Sequence, residues 1–370
     1  MENFGLTLET ATREERTLIT EHTYPQWGGA MSWETYLARQ LDDDGVLNRN
    51  GGLTAWLLTD GEARVEDRPR PILSSCETLR KRAIVRGKDG VVTDGLAYGV
   101  ASVFTPKEAR GHKHAGTMMG MLSEMLARKG ALFSILFSDI GKEFYAARGW
   151  RAFDSTHFKF PVDAAAEYPL AEGLKNITVD DISELTELDE QLIRKRLAAQ
   201  SAPSKITAVV IPDQDHILWH LNRSALKSTS VFPSRERATI HGAHLTLPSS
   251  KRRVWALWAS SIRSATDPSK NDLNILRLVV EDPDAIENEE LGAGLEAILG
   301  AAQRQARDWM CGSVEMWSPD KRVRRAVEAR SALGARFVVR DDDGIMSLNW
   351  FGEESADEVD WIESQKFTWC

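Results

Sequence analysis

Between Tyr98 and Trp150 the chain sets a short basic loop, Arg110-Gly111-His112-Lys113-His114-Ala115-Gly116, between an apolar strand and a helix. A helix N-terminus leaves backbone N–H groups unpaired and carries a partial positive charge. A loop that aims several such amides inward binds a pyrophosphate with few charged side chains. Gly111, Ala115 and Gly116 let the backbone come close, and Arg110 and Lys113 add side-chain charge. Alone, a glycine-bearing turn between strand and helix is most often a connector. The flanks give this one more weight: Val103-Phe104-Thr105-Pro106 ends the strand before it, and the apolar run Phe133-Ser134-Ile135-Leu136-Phe137 follows the helix as a buried strand.

The elements that must position this loop follow from periodicity and breakers. A charged helix is expected from Glu9 to Thr23, broken before Pro25, and a second from Trp33 to Leu41. Strands are expected at Leu53–Leu58, Ile72–Val85 and Gly95–Phe104. A helix then runs from about Ala115 to Arg128, followed by the strand Ala131–Phe137, a short helix from Gly141 to Arg148 and a strand Thr156–Pro161. Residues 161–173, rich in Ala, Glu and Pro, read as a linker. Beyond it the order recurs: helices at Ile182–Ala199 and His216–Leu226, and strands at Thr239–Leu247, Arg253–Ser260 and Asn274–Glu281. A long helix Glu289–Trp309, a strand Ser313–Trp317 and a helix Lys321–Leu333 come next. Last is a two-strand hairpin over Arg336–Trp350, turning at Asp341-Asp342-Asp343-Gly344. The expected organisation is residues 1–160, the linker, and residues 174–370, an α/β (α+β) chain whose second half is a degenerate copy of the first. The second copy has no Arg-Gly loop before its long helix, so it is not expected to bind the same ligand.

Composition narrows the function. The chain has 370 residues, 42% hydrophobic and 27% charged, and a net charge of -9. Two globular domains fit that length. The acidic balance argues against nucleic acid or an anionic membrane as partner. Cys76, Cys311 and Cys370 are scattered, so neither a metal site nor a disulfide framework is expected. The start of the chain lacks a signal-peptide pattern, and no apolar run is long enough to span a bilayer, which favours a cytoplasmic protein.

The loop and its flanks resemble the acyl-CoA-binding core of the GNAT N-acetyltransferases, whose pattern is Arg/Gln-x-x-Gly-x-Gly/Ala. Arg110 and Ala115 fit. Lys113 stands where the middle glycine is expected, which predicts a non-glycine backbone conformation there with the side chain turned outward. The resemblance covers roughly Leu53 to Phe160. It implies a mixed, mostly antiparallel sheet with helices on both faces, and acetyl-CoA as co-substrate with no metal. It also implies that Val103, Phe104 and Thr105 pair with the pantetheine amides while Arg110, Gly111, His112, Lys113, His114, Ala115 and Gly116 hold the phosphates. Phe144-Tyr145-Ala146-Ala147-Arg148-Gly149-Trp150 matches the Phe-Tyr-x-x-x-Gly-aromatic ending of many GNAT domains. That match assigns Tyr145 as the acid that protonates the leaving thiolate; the alternative is a ring packed in the core.

Over nearly the whole chain the sequence is similar to the fungal lysine N6-acetyltransferase family. The similarity is carried by Arg13-Glu14-Glu15-Arg16 to Trp27, Ser138 to Tyr145, Trp255-Ala256-Leu257-Trp258 with Leu273 to Val279, and Trp350 to Cys370. It implies transfer of an acetyl group to the side-chain amine of free lysine or a lysine-like small molecule. Two other readings stay open: an acyltransferase acting on an amine of secondary metabolism, and a non-catalytic CoA-binding or scaffold protein. The attacking ammonium must first lose a proton. Asp139, Glu143, His22, His112 and His114 are candidates for the base. So is the Cys370 carboxylate, because the aromatic ending Phe367-Thr368-Trp369-Cys370 suggests a docked tail. Tyr24, Trp27, Trp33 and Asp139 are candidate acceptor-binding residues, with Tyr36 beside them.

Overall fold

The computed structural model describes residues 5–61, 69–199 and 204–369. The first half runs β1 (Leu6–Thr10), α1 (Arg13–Trp27), α2 (Trp33–Gln40), β2 (Leu53–Asp60), β3 (Ser74–Arg86), β4 (Val92–Phe104), α3 (His114–Arg128), β5 (Phe133–Ser138), α4 (Glu143–Ala146), β6 (Arg151–Ala152) and β7 (Thr156–Pro161). The second runs β8 (Lys175–Ile177), α5 (Ile182–Ala199), β9 (Ile206–Val210), α6 (Gln214–Val231), β10 (Gly242–Thr246), β11 (Arg253–Ser261), β12 (Asp272–Val280), α7 (Asn288–Asp308), β13 (Ser313–Trp317), α8 (Lys321–Glu328), β14 (Arg336–Val339), β15 (Ile345–Trp350) and β16 (Val359–Trp361). Residues 162–173 carry neither helix nor strand.

Two mixed sheets form. The first has the order β1-β2-β3-β4-β5-β15-β6, with β9 added beside β3 and β16 beside β9. The second has the order β14-β7-β13-β12-β11-β10-β8. In each, one parallel pair is joined by a helix, β4–α3–β5 in the first and β12–α7–β13 in the second. The halves therefore share one topology, as a degenerate duplication requires.

The sheets also exchange strands. β7 lies between β13 and β14, and β15 lies between β5 and β6. This corrects the expected hairpin over Arg336–Trp350. Its two strands exist, but β14 pairs in one sheet and β15 in the other, so the acidic turn at 341–344 carries the chain between sheets. Two apolar runs separated by a turn read as a hairpin locally, whereas here both strands find better partners farther along the chain.

Local chemistry explains the helix boundaries. Thr12 Oγ1 accepts the Glu15 N–H at 3.2 Å, and the Glu15 carboxylate accepts the Thr12 N–H at 2.8 Å, a reciprocal cap that starts α1 after β1 has claimed Leu6–Thr10. The Arg70 guanidinium holds the Glu15 carboxyl down at about 2. α1 passes through Pro25 rather than stopping before it. Pro25 lies so close to the C-terminus that one lost hydrogen bond ends little else. α7 buries Leu291, Leu295, Ile298, Leu299, Ala302 and Ala306 on one face, against the second sheet. β9, with all five residues Ile206–Val210 buried, has no counterpart in the sequence reading. Among the described residues no helix is long and apolar enough to cross a membrane.

The C-terminal segment is knitted to the second sheet. Gln365 caps the Leu278 peptide on β12, accepting its N–H at 2.7 Å and donating to its carbonyl at 3.1 Å. The buried Arg277 guanidinium donates twice to Asp189 of α5, at 2.6 and 2.8 Å, and once to Glu363. Phe367 is fully buried, its carbonyl facing His220 Nε2 at 3.3 Å. Arg277→Met is expected to destabilise the protein by about 3–5 kcal/mol, because it strands the Asp189 charge in the core. Denaturant unfolding checks this.

Candidate active site

β4 and β5 pair only over Ala97–Gly99 and Phe133–Ile135. Beyond Gly99 the two strands separate. The cause is a bulge in β4: Ser75 faces Phe104 and Glu77 faces Ala101, so β4 spends one more residue than β3 over the same span. Ser102 takes the strain, with φ +54°. Its hydroxyl donates to Glu77 Oε2 at 2.6 Å. The edge of Val100–Phe104 that would face β5 is left for another partner.

The loop follows from that strand. Ser74 Oγ bonds the Phe104 carbonyl at 3.0 Å and meets Thr105 Oγ1 at 3.1 Å, and Arg110 Nε donates back to the Thr105 carbonyl at 3.1 Å. Gly111 has φ +85°, and Lys113, the residue that opens α3, has φ +63° and ψ 17°. The expectation of a non-glycine conformation at 113 is thus corrected: Lys113 adopts the left-handed geometry that glycine prefers, at a cost of about 1–2 kcal/mol. No side chain caps α3, and its first turn has no acidic residue. α7, its counterpart, carries Glu289 and Glu290 in its first turn, so its N-terminus repels an anion that α3 attracts. Lys113→Gly is expected to hold or raise the thermal midpoint, because glycine takes this conformation without strain; thermal melting of the variant checks it.

A cavity of about 1100 Å³ opens at the separation of β4 and β5. Its walls come from both halves: Trp27, Tyr36 and Arg39 of α1 and α2, Glu77 of β3, Ala101 and Ser102 of β4, Phe137 and Asp139 of β5 and its end, Trp219, Arg223 and Lys227 of α6, Arg263, and Trp369. Trp27 also packs edge-on against Phe104, 5.9 Å between centroids. The Asp139 carboxyl is pushed up to about 6, first by burial and then by its hydrogen bond to Asp343 and that neighbour's charge. The Gly344 N–H, 3.3 Å away, and Lys366 work in the opposite direction.

Tyr145 does not line the cavity. It is buried on α4 in the cluster that holds Val100 and Leu136. Burial raises its phenol above the usual tyrosine range, with the nearby Cys76 and Asp139 adding to the effect. It therefore stays protonated throughout the ordinary pH range. Gly149, at φ +100°, turns the chain after α4 where a side chain would strike Asn349 of β15, which accounts for the glycine of the Phe-Tyr-x-x-x-Gly-aromatic pattern. Trp150 then buries completely. Cys76 and Cys311 are buried thiols, both pushed up by burial, Cys311 to about 12.

The family model described as LYC1 GNAT-like C-terminal domain matches residues 157–370, more than half of the chain. The chain belongs to this family. It is an acetyltransferase of the GNAT type. A protein of Yarrowia lipolytica named Lysine acetyltransferase is 20% identical over 406 aligned positions, covering 93% of this chain and 95% of that one. Among solved structures, a probable N-acyltransferase of Enterococcus faecalis aligns with a TM-score of 0.53 at 12% identity, over 93% of this chain and 71% of that one. A GCN5-related N-acetyltransferase of Anabaena variabilis also reaches 0.53, at 10% identity over 94% and 73%. These two likenesses bear on the fold, which is the GNAT fold in a chain of two GNAT-like halves.

Several residues singled out from sequence meet in this GNAT site, and others do not. Trp27 and Asp139 line the cavity. Tyr24 and Trp33 stand behind it: the Tyr24 hydroxyl donates to the Met31 carbonyl at 2.9 Å, and the two rings pack edge to face at 5.4 Å. His112 and His114 stack on each other in the loop, 5.6 Å between centroids. Glu143 is exposed at the start of α4 and His22 is half-buried on α1; neither lines the cavity. Cys370 lies outside the described residues, but its neighbour Trp369 is a cavity wall. Sequence reasoning missed Glu77, Arg39 and the α6 stripe. Glu77 carried a signal: a lone carboxylate inside the otherwise uncharged strand segment Ser74–Leu79.

Proposed function

We propose that the enzyme transfers the acetyl group of acetyl-CoA to the side-chain amine of free lysine by direct attack. The observation that carries this is one continuous site. An uncapped helix N-terminus and an unpaired β4 edge lead to a cavity whose wall places Asp139 and Glu77 beside the strand separation. The loop residues Arg110–Gly116 fit a pyrophosphate, and the free backbone of Val103–Phe104 fits the pantetheine amides. The name of the Yarrowia relative favours lysine as acceptor.

In this scheme Asp139, whose raised affinity for protons suits a base working near neutrality, takes a proton from the incoming ammonium. The amine lone pair forms a C–N bond to the acetyl carbon, the nitrogen releases its second proton to solvent, and the C–S bond breaks as the tetrahedral intermediate collapses to the amide. Tyr145, buried in the cluster that includes Val100 of the cavity wall, gives its phenolic proton to the departing thiolate and is reprotonated from solvent. Glu77 helps to orient the ammonium. The buried, protonated thiols of Cys76 and Cys311 suit transfer without an acyl-enzyme. Initial rates with both substrates varied are expected to give intersecting double-reciprocal lines, with no acetylated protein trapped by quenching. Parallel lines, or a covalent acetyl-enzyme, would overturn direct transfer.

A further inference from the structure

The cavity has a positive wall that the transfer chemistry does not use. Trp219, Arg223 and Lys227 recur at every fourth residue of α6, so they form one stripe along the helix, and all three line the cavity. The Arg223 guanidinium lies over two rings, 5.7 Å from the Trp219 centroid and 4.7 Å from that of Trp369, which fixes its direction. Arg39 and Arg263 line the same cavity. Arg263 is partly matched by Asp272 at 3.5 Å, and Arg39 feels the Glu77 charge. Lys227 is different: among the described residues its ammonium is in no hydrogen bond or ion pair. Burial first, and then Arg223, Arg263, Arg39 and Lys366, push it down to about 7. A protein gains nothing in stability from massing cations around a half-covered lysine. The arrangement makes sense when an anion completes it.

We propose that Lys227, with Arg223 beside it, is the seat for the α-carboxylate of the acceptor. The second half of the chain thereby selects a free amino acid over an amine that lacks a carboxylate, and over a lysine held in a peptide. This rests on the lysine reading above and adds the residues that enforce it. A carboxylate is the matching anion because Glu77 and Asp139, on the first half's wall of the same cavity, suit the amine at the other end of the acceptor. A bound carboxylate also relieves the mutual repulsion of the stripe, which favours the charged form of Lys227.

The test compares L-lysine with 1,5-diaminopentane, its decarboxylated counterpart, as acceptors for wild type, Lys227→Met and Lys227→Arg. Wild type is expected to favour lysine by about 10–100-fold in kcat/KM, the discrimination one charge-assisted contact supplies. Lys227→Met is expected to bring that ratio close to one, and Lys227→Arg to restore most of it. Because the ratio is internal to each variant, a loss of folded enzyme cancels. Equal use of both amines by wild type, or an unchanged ratio in Lys227→Met, overturns the seat. Turnover of neither amine overturns the lysine reading instead. The seat is then decided by titrating norleucine and pentylamine against the tryptophan fluorescence of Trp219 and Trp369. Tighter binding of norleucine that weakens about tenfold in Lys227→Met upholds it, and equal binding of the two ligands refutes it.

Discussion

Tyr145→Phe is expected to lower kcat by about 10²–10³-fold while leaving the KM of both substrates and the thermal midpoint nearly unchanged. The ring contributes to the core beside Val100, Leu136 and Trp150, and phenylalanine keeps that packing. Only the hydroxyl is lost, and with it the proton that the proposed transfer gives to the leaving thiolate. Because burial holds the phenol protonated, wild type should show no loss of rate from this group up to pH 9, so any alkaline decline has another origin. If Tyr145 only packs, the variant turns over like wild type, and the acid must be sought elsewhere. Steady-state kinetics on the purified variant decides between the two.

Asp139→Asn is expected to cost about 10²-fold in kcat/KM and to remove one limb of the pH profile. The sign follows from the raised carboxyl. A base works only when deprotonated, and this group is pushed up to about 6, so wild-type kcat/KM rises with pH through about 6 and flattens above it. In the variant that limb disappears. The same shift has a consequence for folding. A carboxyl whose affinity for protons is higher in the folded state opposes folding once it ionises, an effect absent below its unfolded value near 4 and complete above about 6. Asp139→Asn should therefore raise the thermal midpoint at pH 7–8 even as it lowers turnover. Glu77→Gln is the control: it shares the cavity wall but is not expected to abolish the limb at about 6. Parallel rate profiles and melting curves across pH 5–9 test all of this.

The first half was legible because its signals are local. A basic, glycine-bearing loop between an apolar strand and a helix, and a Phe-Tyr-x-x-x-Gly-Trp ending, need only neighbouring residues to be recognised. The structure adds the reason Lys113 is tolerated: it takes up the left-handed conformation itself rather than changing the loop. The second half was legible in element order for the same cause, since α5, α7 and β13 sit where periodicity puts them. What escaped is everything decided at long range. The exchange of β7 and β15 depends on which sheet offers the better partner for six residues, and each strand reads the same in either sheet. β9 is a run of four apolar residues and a threonine that β3, more than a hundred residues earlier, and β16, far later, turn into a strand. The acceptor cavity is the extreme case. Arg39, Glu77, Arg223 and Lys227 lie on three elements spread over almost two hundred residues, and the three cations each read alone as an ordinary surface charge.

The proposed reaction carries the acetyl group of acetyl-CoA to the side-chain amine of free lysine. Incubating the purified protein with acetyl-CoA and L-lysine, and measuring released thiol together with the mass and fragmentation of the product, tests it most directly. One equivalent of CoA per N6-acetyl-lysine is the predicted result. Thiol release with no acetylated lysine, or acetylation at the α-amine, would contradict it.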